Sequence, residues 1–148
     1  MAGLLVFLGS DHGGFALKEA VRKWLEGKGI EAVDLGCFSE ENCDYPDYAE
    51  KTAVKVKGAK NALGILFCGT GIGMCIAANK VKGIRAALIH NEYSARMAKE
   101  HNNANVLCLG GRTMNFEQAT SAIEAFLKAE FRGGRHSRRL EKIANLEK

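Results

Sequence analysis

The chain has 148 residues, 47% of them hydrophobic and 26% charged, with a formal net charge of +4 at pH 7. This length and composition predict a single globular domain, residues 1–148, with a core large enough to fold without disulfides or a metal ion. The longest apolar run near the start, residues 4–8, is too short for a signal peptide or a membrane span, so we expect a cytoplasmic protein with no membrane partner.

Apolar runs alternate with helical patterns along the chain. The first half predicts a strand at 4–10, a helix at 15–28 closed by Gly29, a strand at 31–35, a polar loop at 36–46 and a helix at 47–56. The second half predicts a strand at 63–68, a helix at 73–80, a strand at 85–89, a helix at 92–100, a strand at 106–110 and a helix at 115–128. After Gly133-Gly134 a last helix is predicted at 137–146.

Continuously apolar strands that alternate with amphipathic helices are typical of a parallel sheet covered on both faces. The fold class predicted is therefore α/β, a doubly wound five-stranded sheet in a Rossmann-type three-layer sandwich. The flavodoxin-like strand order 2-1-3-4-5 is the expected one. In such a sheet ligands bind beyond the carboxyl ends of the strands, and polar residues follow the strands there: Asp11, His12, Cys68, His90, Asn91 and Arg112.

The segment Cys68-Gly69-Thr70-Gly71-Ile72-Gly73 joins the third strand to the next helix. It matches neither the Rossmann nor the Walker glycine pattern, and it could be only a tight connection. Three glycines at alternate positions nevertheless favour a small anion cradle made of backbone N–H groups. Cys68 could be an inert buried thiol, but a thiol at the start of a helix is also well placed to act as a base.

Asp11 and His12 could be an ordinary helix cap and a surface histidine. Gly13 and Gly14 follow them and would let a ligand approach the backbone, which favours a functional role.

His101 ends the fourth predicted helix, and Arg135, His136 and Arg139 follow the fifth, so all four should lie at the sheet edge opposite Cys68. If they take part in the same chemistry, a second copy of the chain must bring them there, which predicts a two-fold homodimer with shared active sites. The alternative is a solvated basic helix. The basic residues near the carboxyl end are too local to indicate a nucleic-acid partner.

The five cysteines form no C-x-x-C pair, so we expect reduced thiols and no zinc site. Apart from Cys68 they are interpreted as structural residues.

The motifs together resemble the type B ribose-5-phosphate isomerase family, which includes the galactose- and allose-6-phosphate isomerases. The resemblance covers essentially the whole chain in order. The segments that carry it are 10–14 (SDHGG), 44–46 (DYP), 68–73 (CGTGIG), 77–80 (AANK), 83–86 (GIRA), 101–102 (HN) and 133–136 (GGRH).

This resemblance implies a dimer, possibly a tetramer formed as a dimer of dimers, and an aldose–ketose isomerisation without metal or cofactor. It implies that Cys68 is the base, that Thr70 and the amides of Gly69, Gly71, Ile72 and Gly73 hold the enediolate, that Asp11 moves the hydroxyl proton and that His101 opens the furanose ring. It also implies phosphate binding by His12, Arg112, Arg135 and Arg139, a sugar hydroxyl contact by Asn102, and a pocket wall made by Asp44 and Tyr45.

Two positions distinguish this chain within the family pattern. One branch has glycine in place of Cys68 and a glutamate base where this chain has Met74, so the chain resembles the cysteine branch. Asn103 stands where aspartate is more usual, which bears on the charge near His101.

The predicted function is isomerisation of ribose 5-phosphate and ribulose 5-phosphate. The alternatives are the same reaction on a hexose 6-phosphate (allose or galactose) and a non-catalytic sugar-phosphate-binding module. A thiol base would be superfluous in a pure binding module, so an enzyme is favoured.

Overall fold

The computed structural model of the chain describes residues 3–147, along which five strands and six helices follow one another. The strands are β1 (Leu5–Ser10), β2 (Glu31–Asp34), β3 (Ala62–Cys68), β4 (Ala86–Leu88) and β5 (Val106–Gly110). The helices are α1 (Phe15–Gly27), α2 (Tyr45–Lys57), α3 (Ile72–Ala78), α4 (Glu92–Glu100), α5 (Phe116–Lys128) and α6 (Arg135–Ala144). The predicted alternation of strands and helices is therefore confirmed.

The strands form one parallel sheet in the order β2-β1-β3-β5-β4. The doubly wound α/β fold is confirmed, but the predicted order 2-1-3-4-5 is wrong for the last two strands. Every residue of β5 is buried, whereas β4 has only three residues and leaves Leu88 exposed. The more apolar strand takes the interior position and the short one takes the edge, where one side of a strand needs no partner.

Two apolar layers cover the sheet. One is formed by α1, α4 and α5 and packs against strand residues such as Leu8, Phe67 and Leu109. The other is formed by α2 and α3 and packs against Leu66 and Cys68. Because successive residues of a strand point to opposite faces, Cys68 points toward α2 and α3 and away from the larger cluster.

Two helices begin earlier than predicted, and both differences bear on the candidate site. Helix α2 starts at Tyr45 and not at residue 47, because Pro46 fits the first turn of a helix, where its missing N–H costs nothing. Helix α6 starts at Arg135 and not at residue 137, directly after Gly133 and Gly134, which both have positive φ. Tyr45 and Arg135 are thus the first helical residues of their segments.

A buried lysine ties α1 to the loop that follows β2. Lys18 Nζ is fully buried and lies 2.6 Å from Asp34 Oδ1 and 2.9 Å from the carbonyl oxygen of Cys37. The rings of Phe15 and Phe38 lie 5.3 and 5.5 Å from the ammonium group. An ion pair of this kind fixes geometry, because each charged group must be met by a partner at one position.

Candidate active site

The centre of the candidate site is the thiol at the end of β3. Cys68 is 5% exposed, and the backbone N–H of Gly71 donates a hydrogen bond to its sulfur at 3.1 Å. Gly71 has φ +82° and lies against Leu88 and Leu109, so a side chain here would be both strained and crowded. The turn therefore depends on glycine to bring an amide to the sulfur.

The rest of the turn presents polar groups beside the thiol. Thr70 Oγ1 accepts a hydrogen bond from the N–H of Ile72 at 3.2 Å, and Thr70 itself is exposed. Helix α3 begins at Ile72, so the turn leads directly into the first N–H groups of a helix, which have no partner within it. These donors can stabilise negative charge that develops on a substrate oxygen near Cys68.

Asp11 lies against the same turn from the neighbouring strand. Its backbone N–H donates to the carbonyl of Phe67 at 3.1 Å, and its Oδ1 accepts from Gly14 N–H at 3.1 Å. A side chain on Gly13 would come within 3.1 Å of the amide nitrogen of Gly69, and one on Gly14 would overlap the backbone of Phe67. Both glycines are required for this close approach, so the segment 11–14 is built around the turn at 68–73.

The altered strand order brings Arg112 to the turn. Because β5 pairs with β3, the N–H of Gly111 donates to the carbonyl of Cys68 at 2.8 Å and the N–H of Arg112 donates to that of Gly69 at 2.9 Å. The Arg112 guanidinium lies over Gly69, where a Cβ would be 3.0 Å from Nη1. His90, at the end of the edge strand β4, is one strand further from Cys68 than the predicted order implied.

His12, Asp44 and Tyr45 line the side of the turn that faces α2. The N–H of Cys43 donates to His12 Nδ1 at 3.2 Å, so Nε2 is the ring nitrogen left to donate to a ligand. The Tyr45 ring covers Gly73, where a Cβ would lie 2.6 Å from the ring atoms. Asp44 is exposed and directly precedes α2.

The remaining predicted residues lie at the opposite edge of the sheet. His101 follows α4, which runs back from the carboxyl edge, and its N–H donates to the Met97 carbonyl at 2.9 Å. The next residues lead into the amino end of β5, and Asn102 is exposed. Within one chain the structure therefore brings Cys68, Asp11, Thr70, His12 and Arg112 together and leaves His101 and Asn102 apart from them.

Helix α6 brings a second histidine to His101. The imidazole rings of His101 and His136 are stacked with centroids 4.2 Å apart and an interplanar angle of 14°. Arg135 and Arg139, both exposed, flank His136 along the helix. The histidine and the two arginines that were predicted to act together thus form one group at this edge.

His136 is a residue whose role sequence reasoning did not identify, although it belongs to the 133–136 motif. It is 5% exposed, and its Nε2 has no hydrogen-bond partner within residues 3–147. Burial lowers the pKa of His136, and the charges of His101, Arg135, Arg139 and Arg132 lower it further. Both effects favour the neutral form of this ring.

Sequence reasoning also treated Cys75 as a structural thiol. A hydrogen bond from the Cys108 thiol is the main cause that lowers the pKa of Cys75 to about 7. Burial raises the pKa of Cys108 well above its ordinary value. The spacing of the cysteines in the sequence does not predict this pair, because α3 and β5 bring the two thiols together only in the folded chain.

The two departures from the family pattern have simple structural settings. Met74 is fully buried in the core under α3 and contributes no base. Asn103 Oδ1 accepts a hydrogen bond from Lys99 Nζ at 3.3 Å, so its side chain is engaged by α4.

Within residues 3–147 no cluster of three or more His, Cys, Asp or Glu side chains is arranged to hold a metal ion. Among the same residues, no helix combines the length and hydrophobicity that crossing a bilayer requires.

Comparison with known proteins places these residues in a family context. The profile of the family described as Ribose/Galactose Isomerase matches residues 6–143. The probable ribose-5-phosphate isomerase B of Mycoplasma genitalium is 48% identical over 145 residues, covering 97% of this chain and 95% of that protein. The D-erythrulose-4-phosphate isomerase of Pectobacterium atrosepticum is 45% identical over 145 residues, with the same coverage of 97% and 95%.

The fold agrees with a solved relative. The crystal structure of ribose-5-phosphate isomerase B from Mycoplasma genitalium with bound ribulose 5-phosphate superimposes with a TM-score of 0.94 at 46% identity. The match covers 99% of this chain and 98% of that one, so the whole described architecture is shared.

Proposed function

The chain belongs to the ribose/galactose isomerase family, and we propose that it interconverts ribose 5-phosphate and ribulose 5-phosphate through an enediolate. The family and the isomerase class predicted from the motifs are confirmed by the comparisons. The pentose phosphate as substrate is supported by the ligand bound in the solved relative. The observation that carries the proposal is the Cys68 sulfur held 3.1 Å from the N–H of Gly71 at a turn rich in amide donors.

Cys68 is the base in this proposal. Its sulfur takes the proton from C2 of the aldose and returns it to C1 to form the ketose, and the reverse reaction uses the same two steps. Removing a proton next to a carbonyl group leaves negative charge on oxygen, which amide donors stabilise more in the transition state than in the ground state. The turn at 69–73 and Thr70 supply those donors, and the buried Asp11 carboxylate moves the hydroxyl proton between O1 and O2.

The phosphate is bound by cationic and N–H donor groups on both sides of the substrate. His12 and Arg112 lie beside the glycine turn of the same chain. Arg135 and Arg139 belong to α6 at the other edge and come from a second copy of the chain. Binding at the remote phosphate orients the sugar, so C1 and C2 are held near Cys68. Tyr45 and Asp44 form the wall of the pocket, and Asn102 contacts a sugar hydroxyl.

The active protein in this proposal is a two-fold homodimer, with a tetramer as a further association of dimers. His101, Asn102, Arg135 and Arg139 lie at the edge opposite Cys68, so a single chain does not assemble the complete site. An apolar surface is available beside the turn, because Ile72 and Ile76 are 51% and 59% exposed and Leu88 is 37% exposed. Burying such a surface against a second copy is favourable and would bring the two half-sites together.

His101 acts on the cyclic form of the aldose in this proposal. Ring opening removes the proton of the anomeric hydroxyl, breaks the bond between C1 and the ring oxygen, and delivers a proton to that oxygen. An imidazole can both accept and donate a proton near neutral pH, which suits it to this exchange. The stacked ring of His136 lies against His101.

A six-carbon sugar phosphate is the alternative substrate, because the family description includes galactose. Side-by-side assays without added metal on the 5-phosphate of ribose and the 6-phosphates of allose and galactose distinguish the two. A higher kcat/KM for either hexose phosphate than for ribose 5-phosphate would replace our substrate assignment.

The role of Cys68 is tested by Cys68→Ala. We expect loss of isomerisation with the dimer and the binding of ribose 5-phosphate retained, as measured by sedimentation and calorimetry. Cys75→Ala is the matched control, because it removes a thiol whose pKa is lowered to about 7 but which has no role in the proposal, and it should leave turnover within about twofold. Turnover that survives in Cys68→Ala would remove this thiol from the mechanism.

A further inference from the structure

The segment 83–86 carries the family resemblance but has no place among the proposed catalytic residues. In the structure it is bonded to the turn between α4 and β5. The N–H of Arg85 donates to Asn105 Oδ1 at 2.7 Å, and the N–H of Asn105 donates to the Arg85 carbonyl at 3.0 Å. Asn105 Nδ2 also donates to the Gly83 carbonyl at 3.0 Å. The entry to β4 and the entry to β5 are therefore joined before the strands begin.

The Arg85 side chain extends this connection toward His101. Its Nε donates to the carbonyl oxygen of Asn103 at 2.9 Å. Asn103 has φ +42°, an uncommon conformation for a residue other than glycine, and its N–H donates to the Lys99 carbonyl at 3.1 Å. The guanidinium thus caps the turn just where the chain reverses, two residues after His101.

Burying part of the Arg85 guanidinium costs free energy, which its hydrogen bonds must offset. The side chain is half-buried, and burial lowers the pKa of its guanidinium while the charge of Glu147 opposes that shift. Within residues 3–147 no carboxylate is within ion-pair distance of this guanidinium. An apolar side chain of similar length would pack here at less cost, but it could not donate to the Asn103 carbonyl.

We infer that Arg85 is a positioning residue that holds the turn carrying His101 and Asn102, so that ring opening depends on it whereas proton transfer at Cys68 does not. The inference rests on the proposed function, in which His101 opens the furanose ring. The His136 ring stacks on the His101 imidazole, and Arg85 holds the carbonyl of Asn103, two residues further along the same turn. A small displacement of a reacting group lowers the rate far more than it lowers stability.

Substrates that cannot form a furanose separate the two steps. Erythrose 4-phosphate carries its phosphate on the hydroxyl that would close a five-membered ring, so it reaches Cys68 without ring opening. Its use is suggested by the relative named D-erythrulose-4-phosphate isomerase. A second measurement that bypasses the ring is deuterium exchange from solvent into ribulose 5-phosphate, which is acyclic and needs only proton removal at C1.

The test compares Arg85→Met and Arg85→Lys with the wild-type protein. Arg85→Met removes the donors and keeps the length, and we expect kcat/KM for ribose 5-phosphate to fall about 10- to 100-fold. Turnover of erythrose 4-phosphate and the deuterium exchange should fall much less, because neither uses His101 and only the sugar contact of Asn102 is affected. Arg85→Lys keeps the charge but not the Nε–H, and it should show the same difference between substrates, reduced in size. The control is Arg96→Met, because Arg96 is an exposed arginine of α4. It should change neither the kcat/KM for ribose 5-phosphate nor the turnover of the acyclic substrates.

The inference is overturned if Arg85→Met lowers kcat/KM equally for cyclic and acyclic substrates. It is also overturned if kcat/KM for ribose 5-phosphate does not fall. If Arg85→Met does not fold, Arg85→Lys decides by the same criterion. Failure of the proposed function is recognised separately: the wild-type protein would then isomerise no ribose 5-phosphate, or His101→Asn would slow both classes of substrate equally.

Discussion

Replacing the buried Lys18 by methionine is the sharpest test of how α1 and the loop after β2 are held together. The change keeps most of the side-chain volume and removes the ammonium group. Asp34 Oδ1, at 2.6 Å, and the Cys37 carbonyl, at 2.9 Å, then lose their donor in a site from which water is largely excluded. Asp34 retains the N–H of Gly36 at 2.9 Å and the more distant guanidinium of Arg22 at 4.0 Å.

The size of the effect follows from this burial. Removing one partner of a buried ion pair costs about 3–5 kcal/mol, because the remaining charge is left without compensation. Since Asp34 keeps two weaker partners, we expect a loss of about 3 kcal/mol in the free energy of unfolding. At a urea slope of about 2 kcal/mol per molar, the midpoint should fall by about 1.5 M.

The matched control is Lys28→Met. Lys28 lies 3.2 Å from Glu124 at the surface, where both side chains are 41% exposed, so the same substitution should cost at most about 1 kcal/mol. Urea unfolding of both variants at one protein concentration measures the difference, since the stability of an oligomer depends on concentration. Equal midpoints for the two variants would refute the structural role of Lys18.

Three further predictions concern the turn, the pH dependence and the phosphate. Gly71→Ala combines positive φ with overlap against Leu109 and should cost about 2–4 kcal/mol in urea unfolding and lower kcat, whereas Gly27→Ala, with open space around it, should be neutral or stabilising. Hydrogen bonding to Arg22 lowers the pKa of Glu19 from 4.5 to about 2, so its ionised form stabilises the fold above pH 4.5 and this stabilisation is lost as the pH falls through about 2. Glu19→Gln should therefore lower the free energy of unfolding by about 1 kcal/mol at pH 7 and by progressively less toward pH 2. A difference from the wild-type protein that does not change with pH would contradict this. Arg135→Ala should raise KM for ribose 5-phosphate about tenfold or more with a smaller effect on kcat, and an unchanged KM would argue against its phosphate role.

The fold was predictable because periodicity is a local property. The apolar run at 63–68 and the spacing of apolar residues in α1 and α5 identify their elements without reference to the rest of the chain. The order of the last two strands was not predictable in this way, because it depends on how deeply β4 and β5 are buried relative to each other. Val106–Gly110 is buried on both faces and Ala86–Leu88 is not, and only packing of the complete sheet decides which takes the interior place.

The candidate site divides in a similar way. The cysteine, the alternate glycines and the Asp11-His12 pair are visible as motifs, because a turn that brings amides to a sulfur needs particular residue types at fixed spacing. The stack of His101 on His136, the Arg85 contact with Asn103 and the Cys75–Cys108 pair join residues far apart in the chain. Long-range contacts of this kind leave no spacing pattern behind.

The sequence by itself determined the elements, the family and the residue types that the proposed chemistry requires, because each depends on short-range patterns or on motifs in order. The tertiary structure decided what those residues touch. By inserting β5 beside β3 it brought Arg112 to Gly69, and by packing α6 against the end of α4 it stacked His136 on His101. Both outcomes depend on packing between segments far apart in the chain, which no segment determines on its own.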